Sequence, residues 1–242
     1  MISGKIPRSE QIRTAVVLAG GEGVRLRPLT YDVPKSMIPL AGKPIIHWIA
    51  EWLIRNGISR LVIGVAYKKE VIIQYLESLT LPVEFTFNEH TVEGGTGEGF
   101  RLAIERHVED QTFLAMNGDE ITNLSVSDFA NLHNQNRGIA TIAVAPLRSP
   151  FGVVEINDNT IVTFKEKLTL DAYVSTGVYI FDRRILPFLP SNGNVEDETF
   201  PKLARNGQLK AYKHLGFWGT VNTLKDLHEV ERELATGIML KQ

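Results

Sequence analysis

The chain has 242 residues, 43% of them apolar, with 26 basic against 28 acidic side chains and a net charge of -2. So even a balance excludes a bulk nucleic-acid binder, and apolar runs of only a few residues exclude a membrane-spanning helix. With no cysteine, a disulfide scaffold, a thiol nucleophile and thiolate metal sites are also excluded, and a cytoplasmic location is expected.

Residues 1–12 mix polar and apolar types without a hydrophobic signal core and read as a flexible lead-in, which leaves 13–242 as a single domain. Residues 15–18 read as a buried strand that runs straight into a glycine-rich loop. Pro44 then opens a helix through residue 56, with Ile46, Ile49, Ala50 and Leu53 on one face. Its tryptophans, Trp48 and Trp52, read as core or interface. Strands follow at 60–65, 83–88 and 112–117, alternating with helices at 69–79 and 97–108. After a helix at 126–136 and a strand at 139–145 the pattern changes. A hairpin turning on Asn157-Asp158-Asn159 spans 152–164, and a strand covers 173–181. Repeated strand–helix alternation predicts an α/β fold: a Rossmann-like three-layer sandwich with a mostly parallel mixed sheet and a smaller substrate-side lobe. Ligands of such sheets bind beyond the carboxyl ends of the strands.

The loop after the first strand carries Gly20, Gly21 and Gly23, then Arg25, with Lys35 shortly after. Glycines let a main chain approach a ligand and aim its N–H groups at phosphate oxygens, and the two cations add fixed positive charge. The bland alternative is a tight turn with two solvated basic side chains. A dinucleotide fingerprint needs a third glycine where Leu26 stands, and a Walker loop is broken because Gly42-Lys43 is followed by Pro44.

The stretch Leu18-Ala19-Gly20-Gly21-Glu22-Gly23-Val24-Arg25-Leu26 through Thr30, with Pro34-Lys35, closely resembles the N-terminal motif of the sugar-1-phosphate nucleotidylyltransferases. The similarity continues at Gly95-Thr96-Gly97, Asn117-Gly118-Asp119, Phe151-Gly152-Val153-Val154, Glu166-Lys167, Ser175-Thr176-Gly177 and Glu196-Asp197-Glu198-Thr199-Phe200-Pro201. Some relatives append a β-helix acyltransferase extension, for which a chain ending at Gln242 leaves no room.

The resemblance implies attack of a sugar 1-phosphate oxygen on the α-phosphorus of a nucleoside triphosphate, with release of pyrophosphate. In that scheme Arg25 and Lys35 are the catalytic cations. Leu18, Ala19, Gly20, Gly21, Gly23, Gly95, Thr96 and Gly118 surround the nucleotide. Gly152, Glu166, Lys167, Ser175 and Thr176 face the sugar phosphate, and Asp119 holds Mg2+. Glu120 is a secondary candidate that should point elsewhere, and Glu98 stands where many relatives have a small residue. The six histidines show no metal-ligand spacing or triad.

One departure concerns the second metal ligand, where many relatives read Trp-x-Asp and this chain reads Trp218-Gly219-Thr220-Val221-Asn222. A cytidylyltransferase-like alignment puts Asn222 at the ligand position, where its amide oxygen is a weaker Mg2+ ligand than a carboxylate. The reading is an Mg2+-dependent enzyme supplying nucleotide sugar for glycan synthesis, with mannose- or heptose-1-phosphate guanylyltransferases the nearest in build. Cytidylyl, uridylyl or thymidylyl transfer are alternatives. The missing aspartate raises a further one, a catalytically weak regulatory or binding subunit. A glycosyltransferase would need an Asp-x-Asp that Gly118-Asp119-Glu120 does not supply. Partners are then a nucleoside triphosphate and a sugar 1-phosphate, with no nucleic acid or membrane; a homo-oligomer is compatible with the sequence.

Overall fold

A computed structural model describes residues 11–240. The first half contains β1 (Thr14–Leu18), β2 (Pro39–Leu40), β3 (Lys43–Pro44), α1 (Ile45–Arg55), β4 (Arg60–Val65), α2 (Lys69–Glu77), β5 (Glu84–Glu89), α3 (Gly95–His107) and β6 (Thr112–Asn117). The second contains β7 (Glu120–Thr122), α4 (Val126–Asn136), β8 (Ala140–Arg148), β9 (Val153–Asn157), β10 (Thr160–Lys165), β11 (Thr169–Asp182), α5 (Phe200–Arg205), β12 (Leu209–Lys213), β13 (Trp218–Thr220) and α6 (Leu224–Ala235).

Seven strands form one sheet in the order β12-β8-β11-β6-β1-β4-β5. Neighbours from β6 to β5 run parallel, as do β12 and β8, whereas β11 runs antiparallel to both β6 and β8. This is the expected mostly parallel mixed sheet. Its central strands are covered on both faces, which is why they read as unbroken apolar runs: Ala15, Val16 and Val17, and Phe113 through Met116, are fully buried.

Two apolar cores flank the sheet. One takes Trp52 and Leu53 of α1, Ile72 and Leu76 of α2, Phe129 of α4 and Leu227 and Val230 of α6. The other gathers Phe100 of α3 with Tyr179, Phe181 and Phe200, where Phe100 meets Phe181 edge-on at 5.6 Å. Each fully buried side chain of this size contributes about 1.5–3 kcal/mol over leaving it in water. Helix α1 starts where Pro44 fixes φ at -59° and Ile45 N–H donates to Ile38 O at 3.1 Å. Trp52 is the anchor of its buried face, and its indole N–H reaches Leu124 O at 3.1 Å; Trp48 bonds Leu40 O at 2.8 Å.

Of the lead-in, residues 1–10 lie outside the described part. Ile12 is a correction: it is 5% exposed and packs in the first core, because it sits two residues before β1 and enters with that strand. Small additions lie around the sheet. The pair β7–β13 is a separate antiparallel ribbon, and the predicted hairpin is β9–β10, also a sheet of its own.

Candidate active site

Strands β1 and β6 are parallel neighbours with Leu18 opposite Asn117. Just past their ends Gly118 N–H donates to Leu18 O at 2.8 Å, and a Cβ on Gly118 would lie 2.6 Å from that same oxygen. Only glycine permits this approach. It carries Asp119 to the carboxyl end of the sheet, beside the loop that follows β1. In that loop Gly23 has φ 65°, its carbonyl accepts from the Thr30 hydroxyl at 2.8 Å, and a Cβ would meet the Lys35 stem at 2.9 Å. The loop backbone therefore packs on Lys35 and aims it inward.

The Lys35 ammonium pairs with Asp119 Oδ2 and donates to Asn222 Oδ1 at 2.8 Å. Arg25 Nη2 donates to the same Asn222 oxygen at 2.6 Å. Asn222 is held from both sides: Val221 N–H donates to Asp119 O at 3.1 Å, and Asn222 N–H donates to Asp226 Oδ2 at 3.1 Å. Asp226 in turn closes the capping box that starts α6 with Thr223. Asn222 Nδ2 donates to Thr220 Oγ1 at 2.8 Å, so Asn222 presents its oxygen to the cations and Thr220 stands behind it.

This arrangement bears on the metal. No group of three or more His, Cys, Asp or Glu side chains suited to a metal exists among the described residues. Two hard oxygens, of Asp119 and Asn222, nevertheless converge on one point, where the Lys35 ammonium now stands in for a cation. The pair fits a hard dication that keeps other oxygen ligands from water or phosphate.

Glu120 turns the other way, as expected. It is 7% exposed and accepts the Trp218 indole N–H at 2.8 Å. Burial, with the Asp119 charge adding to it, pushes its carboxyl well above the usual range.

A cavity of about 370 Å³ opens at these strand ends, lined by Leu18, Ala19, Gly20, Gly21, Gly23, Arg25, Lys35, Gly95, Thr96, Gly118 and Asp119. Its far wall is the start of α3, clipped to the segment before α5. Gly97 N–H donates to Gly193 O at 2.8 Å and Gly193 N–H to Gly94 O at 3.0 Å; the Thr96 hydroxyl donates to Glu196 at 2.8 Å. Gly95 needs its φ of +67°, and a Cβ there would lie 2.6 Å from Gly193 O. Glu98, the unusual residue, folds back to accept from the Thr91 hydroxyl at 2.6 Å.

The sugar-side candidates do not line this cavity. Gly152 lies under the Phe164 ring, which fills the place of a Cβ. Glu166 and Lys167 are exposed between β10 and β11, and Ser175 is exposed on β11. Thr176 is a correction. It is 1% exposed and its hydroxyl donates to Ala143 O at 2.8 Å, since neighbours on a strand face opposite sides. Its side chain supports the sheet.

Sequence reasoning assigned no role to several cavity residues, among them His90, Asn117 and Asn194. His90 Nδ1 is 2.9 Å from Thr91 O, and among the described residues its buried Nε2 has no hydrogen-bond partner, nor has Asn117 Oδ1. Asn194 reaches the cavity from the loop before α5. Only Asn117, beside Gly118-Asp119, carried a sequence signal.

A family model described as "Nucleotidyl transferase" matches residues 14–237. The chain is 30% identical over 244 residues to the Bacillus subtilis (strain 168) protein named "Probable glucose-1-phosphate cytidylyltransferase", covering 90% of this chain and 94% of that protein. It is 31% identical over 237 residues to the mannose-1-phosphate guanylyltransferase of Mycobacterium tuberculosis (strain ATCC 25618 / H37Rv), covering 93% of this chain but only 65% of that longer relative. Among solved structures, the inositol-1-phosphate CTP transferase from T. maritima shares the fold with a TM-score of 0.73 at 24% identity, covering 94% of this chain and 98% of that one.

Proposed function

Because the chain belongs to the nucleotidyl transferase family, we propose that its cleft joins a nucleoside triphosphate to a sugar 1-phosphate, giving a nucleotide sugar and pyrophosphate. The observation that carries this reading is the convergence of Arg25, Lys35, Asp119 and Asn222 at the ends of β1 and β6. Two polyanions must meet there, so neutralising and aligning charge is the main catalytic task. The binding-subunit reading is separated from this one by turnover, since a protein that only held a nucleotide sugar would release no pyrophosphate.

Arg25 holds the leaving phosphates through its planar fork. Lys35 leaves Asp119 and Asn222 for the attacking oxygen and the α-phosphate. The glycine loop presents backbone N–H groups, and the α3 start with His90 and Thr96 faces the base. Asp119 and Asn222 would hold Mg2+, which when bound supplies charge neutralisation at the phosphates. The sugar side is assigned to the open flank near Gly152, Glu166, Lys167 and Ser175.

Different observations favour two bases. The guanylyl reading is supported by the 31% identity to a mannose-1-phosphate guanylyltransferase, whereas Asn222, rather than Thr220, facing the cations follows the cytidylyltransferase-like alignment and agrees with the name of the Bacillus subtilis relative. No helix of the described residues is long and apolar enough to cross a membrane; we place the reaction in the cytoplasm, as a supply step for glycan synthesis. The test is pyrophosphate release from the common nucleoside triphosphates crossed with several sugar 1-phosphates. Release should require both substrates and Mg2+, and release from no pair would reject the reading.

A further inference from the structure

At the foot of the sheet a second cavity, of about 450 Å³, lies between the end of α3 and the early residues of β4 and β5. Its basic side chains are Arg60, Arg106, Arg183 and the imidazole of His107, with Glu105 and Glu109 also on the wall. Most of these charges have local reasons to be there. Arg60 pairs with Asp110 at 3.3 Å, and Glu105 with Arg101 at 3.1 Å. Arg106 stands in the last turn of α3, where positive charge offsets the helix dipole, and its Nη1 donates to Asn88 Oδ1 at 3.4 Å.

Arg183 has no such reason. It follows β11, with its backbone N–H fixed on Gln111 O at 2.8 Å, and its Nη1 is buried with no hydrogen-bond partner among the described residues. The next residue shows the ordinary outcome, since Arg184 grips Asp182 at 2.9 and 3.0 Å. Leaving a buried donor unsatisfied costs about 1–3 kcal/mol, more for a charged group. Arg183 lines the cavity and meets no carboxylate among the described residues, so an anion in the cavity would neutralise a charge that is otherwise uncompensated there.

We propose that this cavity is a second ligand site, taking a small phosphorylated anion anchored on Arg183 and flanked by Arg60, Arg106 and His107. A guanidinium fork matches the oxygens of a phosphoryl group, and the volume falls within the range of small-molecule sites. Glu105 and Glu109 hold the total positive charge down, which favours one phosphoryl group over a polyphosphate. The site is distinct from the catalytic cleft: strand β4, with Arg60 at its start, is six residues long, so the two openings lie about 20 Å apart at ~3.3 Å per residue. Helix α3 touches both, with Thr96 at one end and His107 at the other.

The test follows the histidine ring resonances of the full chain by proton NMR while inorganic phosphate is added at constant ionic strength, with His107→Gln assigning its signal. Burial and the neighbouring Arg106 lower the His107 pKa, so a bound anion should raise it and move its resonance. The expected result is a saturable His107 shift that survives Lys35→Ala and becomes about tenfold weaker in Arg183→Gln. If Arg183→Gln does not fold, the exposed Arg106→Ala replaces it and must weaken the same response. Repeating the titration with glycerol phosphate separates sources: a tighter response identifies an organic phosphate ester, an equal one the phosphoryl group alone. A shift confined to His90 in the cleft, no shift at all, or a His107 shift unchanged in the folded variant would overturn the proposal.

Discussion

The Lys35 ammonium donates to Asn222 Oδ1 at 2.8 Å across a sequence separation of 187 residues, tying the loop after β1 to the residue just before α6. An amide rather than a carboxylate thus completes the ring around Lys35. We expect the free protein to bind Mg2+ weakly and to acquire it with the triphosphate: Mg2+ alone should barely raise Tm, whereas Mg2+ with the accepted nucleotide should raise it clearly. Asn222→Asp should lower the Mg2+ concentration for half-maximal rate, because a charged ligand holds a hard dication better. Thr220→Asp should do less, since Thr220 lies behind Asn222. The reverse order in a Mg2+ titration would contradict this geometry.

Two glycines separate folding from ligand approach. A Cβ on Gly118 would collide with Leu18 O at 2.6 Å, so Gly118→Ala should destabilise the fold by about 1–3 kcal/mol. A Cβ on Gly21 meets nothing within 4 Å. Gly21→Ala should therefore melt like the wild type while raising KM for the triphosphate, because it fills space where phosphate approaches. Urea unfolding paired with steady-state kinetics reads both effects, and equal behaviour of the two variants would refute the distinction.

The stability contributed by the buried histidines should fall as pH drops below about 6.5. Burial lowers the pKa of His133, which is 4% exposed and bonded to Thr141 at 2.8 Å, and that of His214, which is 7% exposed. Their folded values lie below the unfolded ones, so the unfolded chain binds more protons in that window. The stability is present above the unfolded pKa and is lost as pH falls toward the folded values. Glu120, whose folded pKa is raised by burial, acts with the opposite sign in the same window, so the histidine contribution is read as a difference: Tm should fall less from pH 7.5 to pH 5, relative to the wild type, in His133→Gln, and the same pH dependence in both proteins would contradict the burial argument.

The central strands were legible because burial on both faces leaves continuous apolar runs such as Phe113-Leu114-Ala115-Met116. Strands β7 and β13 escaped because each has only three residues, too few to show alternation. β12 escaped because Lys210 and Lys213 interrupt a partly exposed edge strand. In the site, Arg25, Lys35 and Asp119 were readable from their motifs, and Asn222 from its place after Trp218. The convergence of Arg25 and Lys35 on one Asn222 oxygen was not, since it depends on α6 docking. Thr176 was misjudged because a motif match carries no record of which face of the strand a residue takes.

The central claim is that Lys35 and Arg25 stabilise charge on transferring phosphate, and both side chains reach Asn222 Oδ1, at 2.8 and 2.6 Å. The most direct test is pyrophosphate release at saturating substrates by wild type, Lys35→Ala and Arg25→Ala, each checked for an unchanged circular dichroism spectrum. Each variant should lose at least about two orders of magnitude in kcat, because its charge acts in the transition state rather than in the core. A folded variant that releases pyrophosphate at near wild-type rate would contradict the role assigned to that residue.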